Sequence, residues 1–470
     1  MRRAIVWYRS DLRVTDHEPL FNASKDYDEI IPVFVIDKQQ YFSDNYGSQK
    51  MGNFRLKFLL EALNNLKENL KKLGGDLVVI QGNPVDEIIN LALKYSASTI
   101  FVHKEAAFEE VQEENILEIK LPPDMQIKFY WGHTLLHIND LPFRIQELPN
   151  VFTPFRKECE KHAKVRQLIP APDSVSIPKN LSENIPSAEE LGFAEPTNSE
   201  HATYHLSGGE AAALSRMNEY IWDSKGIRVY KKTRNGLLGK SFSSKFSPYL
   251  AMGCISPRTI YYEVKKFERE VESNQSTYWM IFELYWRDFF RFQSVKYPKA
   301  FFKLGGTRES TPSISENEDL LTGWKNAKTG IPFIDANMKE LNETGFMSNR
   351  GRQNVASFLV HDLKQDWRKG AAYFEQQLID YDPTSNWGNW AYVAGVGTDP
   401  RENRYFNIMS QADRYDEKGK FVRHWLPELE NVSSASIHKP WKMERNELAF
   451  YNLAGTIYEK PLLVPEKWKV

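Results

Sequence analysis

The stretch FRLKFLLEALNNLKENLKKL (Phe54–Leu73) repeats apolar residues at steps of three and four, which is typical of an amphipathic helix. It follows two short apolar runs, AIVWY (Ala4–Tyr8) and IIPVFVI (Ile30–Ile36), whose length and composition favour buried strands. Similar runs follow at Leu77–Ile80, Thr99–Val102 and Gln126–Tyr130. Because strand-type runs alternate with helical stretches, the first third of the chain is predicted to form a doubly wound parallel sheet of the α/β class.

The first predicted strand does not lead into a dinucleotide-binding fingerprint. It is followed by RSDLR (Arg9–Arg13), where an NAD-type Rossmann fold carries GxGxxG. We therefore expect no classical dinucleotide site at the first strand-to-helix turn.

The composition changes after Leu141, where Pro, Ser, Asn and Glu become frequent and periodicity is lost until about Glu200. Such a segment is typical of a connector that lies on the surface. Beyond it the patterns lengthen, which predicts an all-α second domain with helices at Gly208–Ser224, Ser256–Glu272, Thr277–Lys296, Pro332–Thr344, Arg352–Gln365 and Ala371–Leu378. We therefore predict an α/β domain at 1–135, an interdomain connector at 136–205 and a helical domain at 206–470.

The charges nearly balance, with 61 Lys and Arg residues against 62 Asp and Glu residues. No global positive field therefore indicates a nucleic-acid partner, and any such site must be a local patch. The two cysteines, Cys159 and Cys254, lie outside any CxxC or Cys/His spacing, so neither a disulfide nor a metal site is expected. No apolar run reaches the ~18 residues that a membrane helix needs. We expect a cytoplasmic monomer without a membrane segment.

The segment SFSSKFSP (Ser241–Pro248) places four hydroxyls and a lysine ahead of a proline. Hydroxyls, a cation and a helix start together suit a pyrophosphate. An ordinary serine-rich helix cap is the alternative, and the segment alone leaves it open.

The predicted helix from Thr277 carries Glu283 and Arg287 four residues apart, and therefore on one face. A solvated ion pair would explain this spacing. However, the flanking aromatic residues make the helix apolar nearly all round, which favours an interior helix whose charges face a ligand or a partner charge.

Two further polar groups follow in the second domain. Asn349, Arg350, Arg352 and Gln353 crowd hydrogen-bond donors at a predicted helix start, where arginines can bind phosphate or a ring carbonyl; a surface cluster is the alternative. SNWGNWAY (Ser385–Tyr392) holds indole and amide groups that all need partners, and a ligand with many acceptors would satisfy them.

Several long blocks resemble the signature segments of the photolyase/cryptochrome superfamily, and of its DASH-type cryptochromes in particular. They are VWYRSDLRVTDHEPL (Val6–Leu20), WGHTLLHINDLPF (Trp131–Phe143), TRNGLLGKSFSSKFSPYLAMGCISPR (Thr233–Arg258), FELYWRDFFRF (Phe282–Phe292), TGIPFIDANMKELNETGFMSNRGRQNVASFLVHDL (Thr329–Leu363) and DYDPTSNWGNWAYVAGVGTDPRENRYFN (Asp380–Asn407). The resemblance implies a helical domain that binds a folded FAD and a blue-light-driven lyase that splits cyclobutane pyrimidine dimers in DNA.

The resemblance also assigns roles to individual positions. The implied FAD contacts are Tyr230, Ser243, Ser244, Lys245, Phe246, Ser247, Glu283, Arg287, Asn349, Arg352, Asp380, Asp382 and Asn386, with Asn386 facing flavin N5. The implied substrate cavity comprises Glu283, Trp286, Asn349, Arg350, Gln353 and Tyr392. Gln353 and Tyr392 give a less apolar wall than Met and Trp would, which favours lesions in single-stranded DNA. A cationic rim for DNA is expected from Arg287, Arg291, Arg350, Arg401 and Arg404.

Electron transfer and light harvesting are implied as well. Trp390 and Trp367 match the first two members of the family's tryptophan chain, but the expected neighbourhood of the third, Thr311–Glu316, contains no aromatic residue. Glu110, or Glu109 if the alignment slips, matches a carboxylate that contacts a methenyltetrahydrofolate antenna. Three alternatives stay open: a cryptochrome photoreceptor that binds nucleic acid without significant repair, a redox-sensing nucleic-acid-binding flavoprotein, and a thermally driven flavin oxidoreductase.

Overall fold

The N-terminal part of the chain forms one parallel sheet of five strands in the order β3-β2-β1-β4-β5. The structure, a computed structural model, describes residues 1–179, 181, 184–197, 199–398 and 404–468. The strands are β1 (Arg3–Tyr8), β2 (Glu29–Ile36), β3 (Val78–Gln81), β4 (Ala97–His103) and β5 (Gln126–Tyr130). Strand order reverses between β1 and β4, so the carboxyl ends of these strands border a crevice, as doubly wound sheets do. The predicted sheet is confirmed.

Helices on both faces complete this first domain. They are α1 (Glu18–Asp26), α2 (Lys38–Phe42), α3 (Asn53–Lys72), α4 (Pro84–Tyr95) and α5 (Phe108–Lys120). The apolar residues whose three- and four-residue spacing predicted α3 face the core of the domain. Among them, Leu59, Leu63, Leu66 and Leu70 are all buried.

The connector is more ordered and more buried than its composition suggested. Residues Phe152–His162 form helix α6, which buries Phe152, Phe155 and Cys159. Leu191 and Phe193 are buried further along. The expectation of a segment lying on the surface is therefore wrong at these positions, because isolated apolar residues anchor the segment without any sustained periodicity. The boundaries at 135 and 205 stay a prediction.

The C-terminal part is helical, as predicted. Its helices are α7 (Glu210–Asn218), α8 (Tyr230–Thr233), α9 (Ser247–Ala251), α10 (Pro257–Glu270), α11 (Gln275–Lys296), α12 (Glu318–Lys325), α13 (Pro332–Thr344), α14 (Asn349–Ser357), α15 (Trp367–Gln377), α16 (Pro383–Val393), α17 (Ile408–Tyr415), α18 (Lys420–Trp425) and α19 (Arg445–Phe450). Helix α11 begins in a capping box at Asn274 and runs through the interior, as its apolar surface indicated.

Two elements near the predicted site differ from expectation. Helix α14 begins at Asn349, three residues before the predicted start, because Ser348 caps it by accepting a hydrogen bond from the Gly351 backbone N–H. The SNWGNWAY segment forms helix α16, which was not expected, and Asp382 caps its N-terminus. These two caps fix where the polar side chains of both helices lie.

Candidate functional site

A cavity of about 440 Å³ opens inside the helical domain, between the segment before α9 and helices α11, α14 and α16. It collects residues from four separate sequence blocks. The predicted residues that line it are Tyr230, Ser243, Ser244, Lys245, Phe246, Ser247, Glu283, Trp286, Arg287, Asn349, Arg352, Gln353, Asp380, Asp382 and Tyr392. Of the residues implied for FAD, the substrate cavity and electron transfer, four are not part of its lining: Arg350, Asn386, Trp390 and Trp367. Arg404 of the expected rim also lines it.

Arg216, which the sequence analysis did not single out, holds the segment Ser243–Ser247 in place through backbone carbonyl groups. Buried Arg216 donates hydrogen bonds to the carbonyl oxygens of Ser243 (3.1 Å) and Ser244 (2.9 Å). Its position 27 residues upstream gave no local signal. The backbone at Lys245 adopts a left-handed conformation (φ 58°), and α9 starts two residues later. This shape exposes the hydroxyl-bearing segment to the cavity.

Lys245 has the chemistry of an anion-binding residue. Its Nζ is buried without a hydrogen-bond partner and lies 3.7 Å from the centre of the Phe242 ring and 4.3 Å from that of Phe346. Burial lowers the pKa of Lys245 to about 7. An unpaired ammonium group in an aromatic setting gains strongly from an anionic partner, so the site fits a ligand phosphate.

Arg352 and Asp380 form an ion pair in which the carboxylate is buried and the guanidinium is partly exposed. Arg352 Nη2 lies 2.8 Å from Asp380 Oδ2, and Arg352 Nε donates to the Met347 carbonyl oxygen at 2.9 Å. Asp380 Oδ1 is buried and has no protein partner. The pair therefore offers an acceptor to a ligand that carries hydroxyl or N–H donors.

Asp382 lies in a strongly positive environment. Its Oδ2 is 2.7 Å from Arg291 Nη2 and 3.5 Å from Arg287 Nη2, while Oδ1 accepts hydrogen bonds from Thr384 and from the Ser385 backbone. Burial by itself would raise the pKa of Asp382, but the two arginines and these hydrogen bonds outweigh it and hold the pKa well below its usual range.

These ion pairs correct two predictions. Arg291 was expected on a cationic rim, but it is only 3% exposed and bridges Asp382 to Glu105 of the first domain. Arg287 is also withdrawn from the rim, since it donates to the carbonyl oxygens of His133 and Leu250. Both arginines are engaged in contacts inside the protein and are therefore not available to DNA phosphates. The spacing of charges along one helix does not reveal that these charges are buried.

Glu283 does not form a solvated ion pair with Arg287. Its carboxylate is paired with Arg234, a cavity residue that the sequence analysis did not single out. Of the other expected rim residues, Arg350 donates to Asn235 and lies 4.6 Å over the Tyr415 ring, and Arg404 lies 4.2 Å over Tyr392. Arg401 lies outside the described residues. The observed rim is therefore Arg234, Arg350 and Arg404.

The aromatic wall of the cavity depends on the connector. Trp286 stacks on Phe152 of α6, with ring centres 3.7 Å apart and planes within 9°. On its other side Trp286 meets Tyr392 edge-on at 5.9 Å. Phe152 was not predicted, because no motif distinguishes it from any other apolar residue in the connector.

Three implied residues lie behind the lining. Asn386 is buried on α16, and its side-chain N–H donates to the Ala371 carbonyl oxygen at 2.9 Å. Trp390 is buried against Phe374 and Trp324, and Trp367 against Trp387. Their assigned roles at flavin N5 and in electron transfer stay predictions.

A second cavity, of about 370 Å³, lies between the sheet and the helical domain. Arg9, Asp37 and Glu105 reach it from the carboxyl ends of β1, β2 and β4, where ligands bind in doubly wound folds. Its charged lining consists of the carboxylates Asp37, Glu105, Glu109, Glu110, Glu113 and Glu375 and the cations Arg9, Lys50, Arg55 and Arg291. The acids exceed the cations in number, but burial raises the pKa of Glu110 to about 8 and that of Glu113 to about 7, so part of the lining consists of neutral carboxyl groups that can donate hydrogen bonds to a polar ligand.

Glu110, the predicted antenna contact, lines this second cavity beside Glu109. Burial and the negative charge of Glu105 raise the pKa of Glu110 to about 8. Glu109 is instead paired with Lys50 and largely exposed. Glu110 is therefore the better placed of the two to donate a hydrogen bond to a buried ligand.

Among the described residues, the group best arranged for a metal is the buried set Asp11, His17 and His103. Asp11 Oδ2 lies 2.8 Å from His17 Nε2 and 2.7 Å from His103 Nδ1. Because His17 Nδ1 accepts the Leu20 backbone N–H, its Nε2 must carry a proton and donate to Asp11. The geometry is therefore that of a hydrogen-bonded cluster. Within the described chain, no helix is both long and apolar enough to cross a membrane.

Comparison with known proteins agrees with this geometry. Residues 4–173 match the family described as DNA photolyase, and residues 279–467 match the FAD binding domain of DNA photolyase. The Cryptochrome DASH of Natronomonas pharaonis is 45% identical over 98% of each chain. The crystal structure of the Synechocystis sp. PCC6803 cryptochrome has a TM-score of 0.95 at 44% identity and covers 99% of this chain and 97% of its own. A class III photolyase from Agrobacterium tumefaciens has a TM-score of 0.86 at 29% identity, covering 99% and 95%.

The FAD-binding domain matched at residues 279–467 contains α14, α16 and most of α11, which line the larger cavity, whereas the Ser243–Ser247 segment, α8 and α9 precede the matched range. The resemblance inferred from the sequence is thus confirmed over nearly the full length. The chain belongs to the photolyase/cryptochrome family, among the DASH cryptochromes.

Proposed function

We propose that this protein uses blue light and bound FAD to split cyclobutane pyrimidine dimers, preferring single-stranded DNA. One observation carries the proposal. The cavity that contains the phosphate-type segment Ser243–Ser247 and the Arg352–Asp380 pair also contains Glu283, Trp286 and Tyr392 in its wall. A cofactor and a flipped pyrimidine dimer would therefore occupy one continuous space.

The chain's own residues would hold the cofactor by charge. Lys245 and the Ser243–Ser247 segment would bind the pyrophosphate, and Arg352 with Asp380 would bind the flavin side of the nucleotide. FAD, when bound in its reduced form, supplies an electron donor that blue light activates. Asn386 carries no acidic proton, so it would not protonate the ring, which favours the electron-donating anion.

Glu283 and the aromatic wall would hold the lesion. Glu283 would exchange its pairing with Arg234 for hydrogen bonds to the two pyrimidines, and its carboxyl, once protonated, would donate to the bases and stabilise the negative charge that they acquire. Trp286 and Tyr392 would stack on the flipped bases. Tyr392 and Gln353 make this wall more polar, so it compensates less of the stacking energy lost when a duplex opens. Single strands avoid that cost.

DNA phosphates would meet the observed rim of Arg234, Arg350 and Arg404. Burial lowers the pKa of Arg350, and the positive charges of Arg234, Arg414 and Arg404 lower it further, which places four arginines near one another. Added salt should therefore weaken DNA binding, with a log–log slope that corresponds to only a few phosphates.

The second cavity would hold 5,10-methenyltetrahydrofolate as an antenna. Glu110, whose pKa burial raises to about 8, would donate a hydrogen bond from its protonated carboxyl to the folate ring system. Titration of purified protein with this folate should quench folate fluorescence only when flavin is also bound. A cytoplasmic location and a monomeric state stay predictions.

The decisive experiment illuminates flavin-loaded protein with dimer-containing oligonucleotides, single-stranded and duplex, and follows the return of pyrimidine absorbance. We expect repair, faster on the single strand. Glu283→Gln should slow repair by about tenfold, which corresponds to ~1.4 kcal/mol. Glu270→Gln, an exposed residue of α10, is the matched control and should repair normally.

A flavin-loaded, photoreducible protein that leaves both substrates unrepaired would refute the lyase. It would favour the cryptochrome photoreceptor that binds nucleic acid without repair.

A further inference from the structure

We propose that Trp387 and Tyr46 form the solvent end of the electron path that enters the flavin site through Trp367 and Trp390. This inference rests on the proposed function, because it concerns the electrons that reduce bound FAD. It addresses the third member of the tryptophan chain that the resemblance implies, since Thr311–Glu316 offers no aromatic residue to end the path.

Ring contacts connect Trp367 to the surface. The Trp367 and Trp387 ring centres are 5.8 Å apart, and those of Trp387 and Tyr46 are 6.1 Å apart. Trp367 and Trp387 are 1% and 4% exposed, whereas Tyr46 is 39% exposed. Electronic coupling falls steeply with the gap between rings, so a series of touching rings from core to solvent is a favourable route.

The inner link runs past a glycine. A Cβ atom built on Gly370 would lie 2.4 Å from Trp390 Cη2, so the Trp390 ring lies directly against the α15 backbone. Trp367 begins that helix, one turn earlier. The two indoles are thus on neighbouring parts of one helix surface, and a larger side chain at position 370 would push them apart.

A competing branch from Trp390 ends inside the protein. Trp390 touches Trp324 at 6.1 Å, but Trp324 is fully buried and its Nε1–H donates to the Val355 carbonyl oxygen. The next ring, Tyr373, is buried with its hydroxyl bonded to Asn342. An oxidised ring there has no water to receive its proton, so the charge returns inward.

Tyr46 can complete the transfer. Arg368 lies 4.7 Å over its ring, and Arg368 Nη1 donates to the Tyr46 hydroxyl oxygen at 3.2 Å, which leaves the hydroxyl proton free for water. One electron leaves Tyr46 for oxidised Trp387 and the phenolic proton passes to water, because the guanidinium charge disfavours a cationic ring. A thiol in solution then returns one hydrogen atom to the neutral phenoxyl radical.

The test compares flavin-loaded variants under blue light with dithiothreitol. Tyr46→Phe and Trp387→Phe should be reduced about tenfold more slowly than the wild type, a one-decade change in rate. Trp324→Phe and Tyr95→Phe, a tyrosine at the end of α4, should match the wild type. Time-resolved absorption should detect a tyrosyl radical in the wild type and not in Tyr46→Phe, and a radical trap should label Tyr46, as read by mass spectrometry.

An undiminished rate and an unchanged tyrosyl signal in Tyr46→Phe would overturn the inference, as would a loss confined to Trp324→Phe. The proposed function is tested separately, with wild-type protein that is reduced by dithionite in the dark and then illuminated with dimer DNA. If the wild type repairs DNA in that assay and Tyr46→Phe is photoreduced at the normal rate, only the proposed exit through Tyr46 is refuted. No repair there would count against the lyase itself.

Discussion

The two candidate ligand cavities, of about 440 and 370 Å³, are built in different ways. The larger one takes its lining from a few compact sequence blocks in one helical domain, and most of its charges are paired. The interface cavity takes its lining from the carboxyl ends of three strands, from the loops after them and from helices. Its lining residues lie up to 380 positions apart in the chain, as Trp7 and Trp387 do. Its acids exceed its cations in number. A cavity made by neighbouring blocks is readable as motifs, whereas one made by docking two domains is not.

One buried arginine joins the two cavities. Arg291 lies 3.3 Å from Glu105, which lines the interface cavity, and 2.7 Å from Asp382, which lines the larger one. A substitution at this shared wall should therefore affect both cavities, whereas a substitution elsewhere in the lining should affect only one of them.

Asp382→Ala should have the largest effect, because it disrupts both cavities. It leaves Arg291 and Arg287 without their shared carboxylate and removes the cap of α16. We expect a loss of ~3–5 kcal/mol in the free energy of unfolding, measured by urea denaturation of the ligand-free protein. Asp319→Ala, in the exposed first turn of α12, is the control. A loss below ~1 kcal/mol would mean that Glu105 suffices for Arg291, and the His133 and Leu250 carbonyl oxygens for Arg287, without the carboxylate of Asp382.

The pH dependence of this contribution has a definite sign. The folded pKa of Asp382 is below its unfolded value of about 3.9, so its stabilisation is complete above that pH and is lost as acid lowers the pH through the folded pKa. The stability difference between wild type and Asp382→Ala should therefore shrink below about pH 4.

Phe152→Ala should have the next largest effect and should act on the larger cavity alone. It removes the ring on which Trp286 stacks, and we expect a loss of ~3 kcal/mol in unfolding free energy together with weaker binding of dimer-containing single strands. Phe152→Leu should lose less, since it keeps apolar volume. Equal lesion binding in the wild type and the alanine variant would show that Trp286 needs no support from the connector.

Lys245→Met should weaken flavin binding and leave the interface cavity intact. Loss of a charge-assisted contact corresponds to ~1.5–3 kcal/mol, or roughly ten- to a hundredfold in the dissociation constant of FAD. Because the pKa of Lys245 is about 7, wild-type affinity should fall as pH rises through 7, when the ammonium loses its proton. The methionine variant should lack this dependence, and equilibrium dialysis of apoprotein at pH 6 and 8 measures both effects.

Glu110→Gln should have the smallest effect, confined to the interface cavity. At pH 5 glutamine mimics the protonated acid, so stability should hardly change. The pKa of Glu110 is about 8 in the folded state and lower in the unfolded state, so the wild type loses stability as the pH rises towards 8. The variant has no carboxyl at this position and therefore does not lose this stability. The variant should melt a few degrees higher at pH 8. If the variant and the wild type differ in melting temperature by the same amount at pH 5 and at pH 8, a raised pKa at Glu110 is contradicted.

The sequence predicted more of the larger cavity than of the interface cavity. Fifteen of the residues implied for FAD and the substrate line one space, because nearly all of them lie in contiguous motifs and the helices α9, α11, α14 and α16 bring these motifs together. Arg216 and Phe152 were missed, since each acts on a residue far away in the chain and lies outside the recognised motifs. Arg234 lies inside the block Thr233–Arg258 but was not singled out, because its partner Glu283 is 49 residues away. Arg287 and Arg291 were placed on a DNA rim because their charge was visible and their burial was not.

By itself, the sequence determined the parallel sheet, the helical second domain and the family, because periodicity and contiguous motifs are local properties of the chain. Only the tertiary structure decided which charges are paired, which connector residues support the cavity wall, and where the aromatic rings meet the solvent. Those outcomes depend on which surfaces the two domains bury against each other, and burial sets the energy of a charge or a ring far more than its sequence neighbours do.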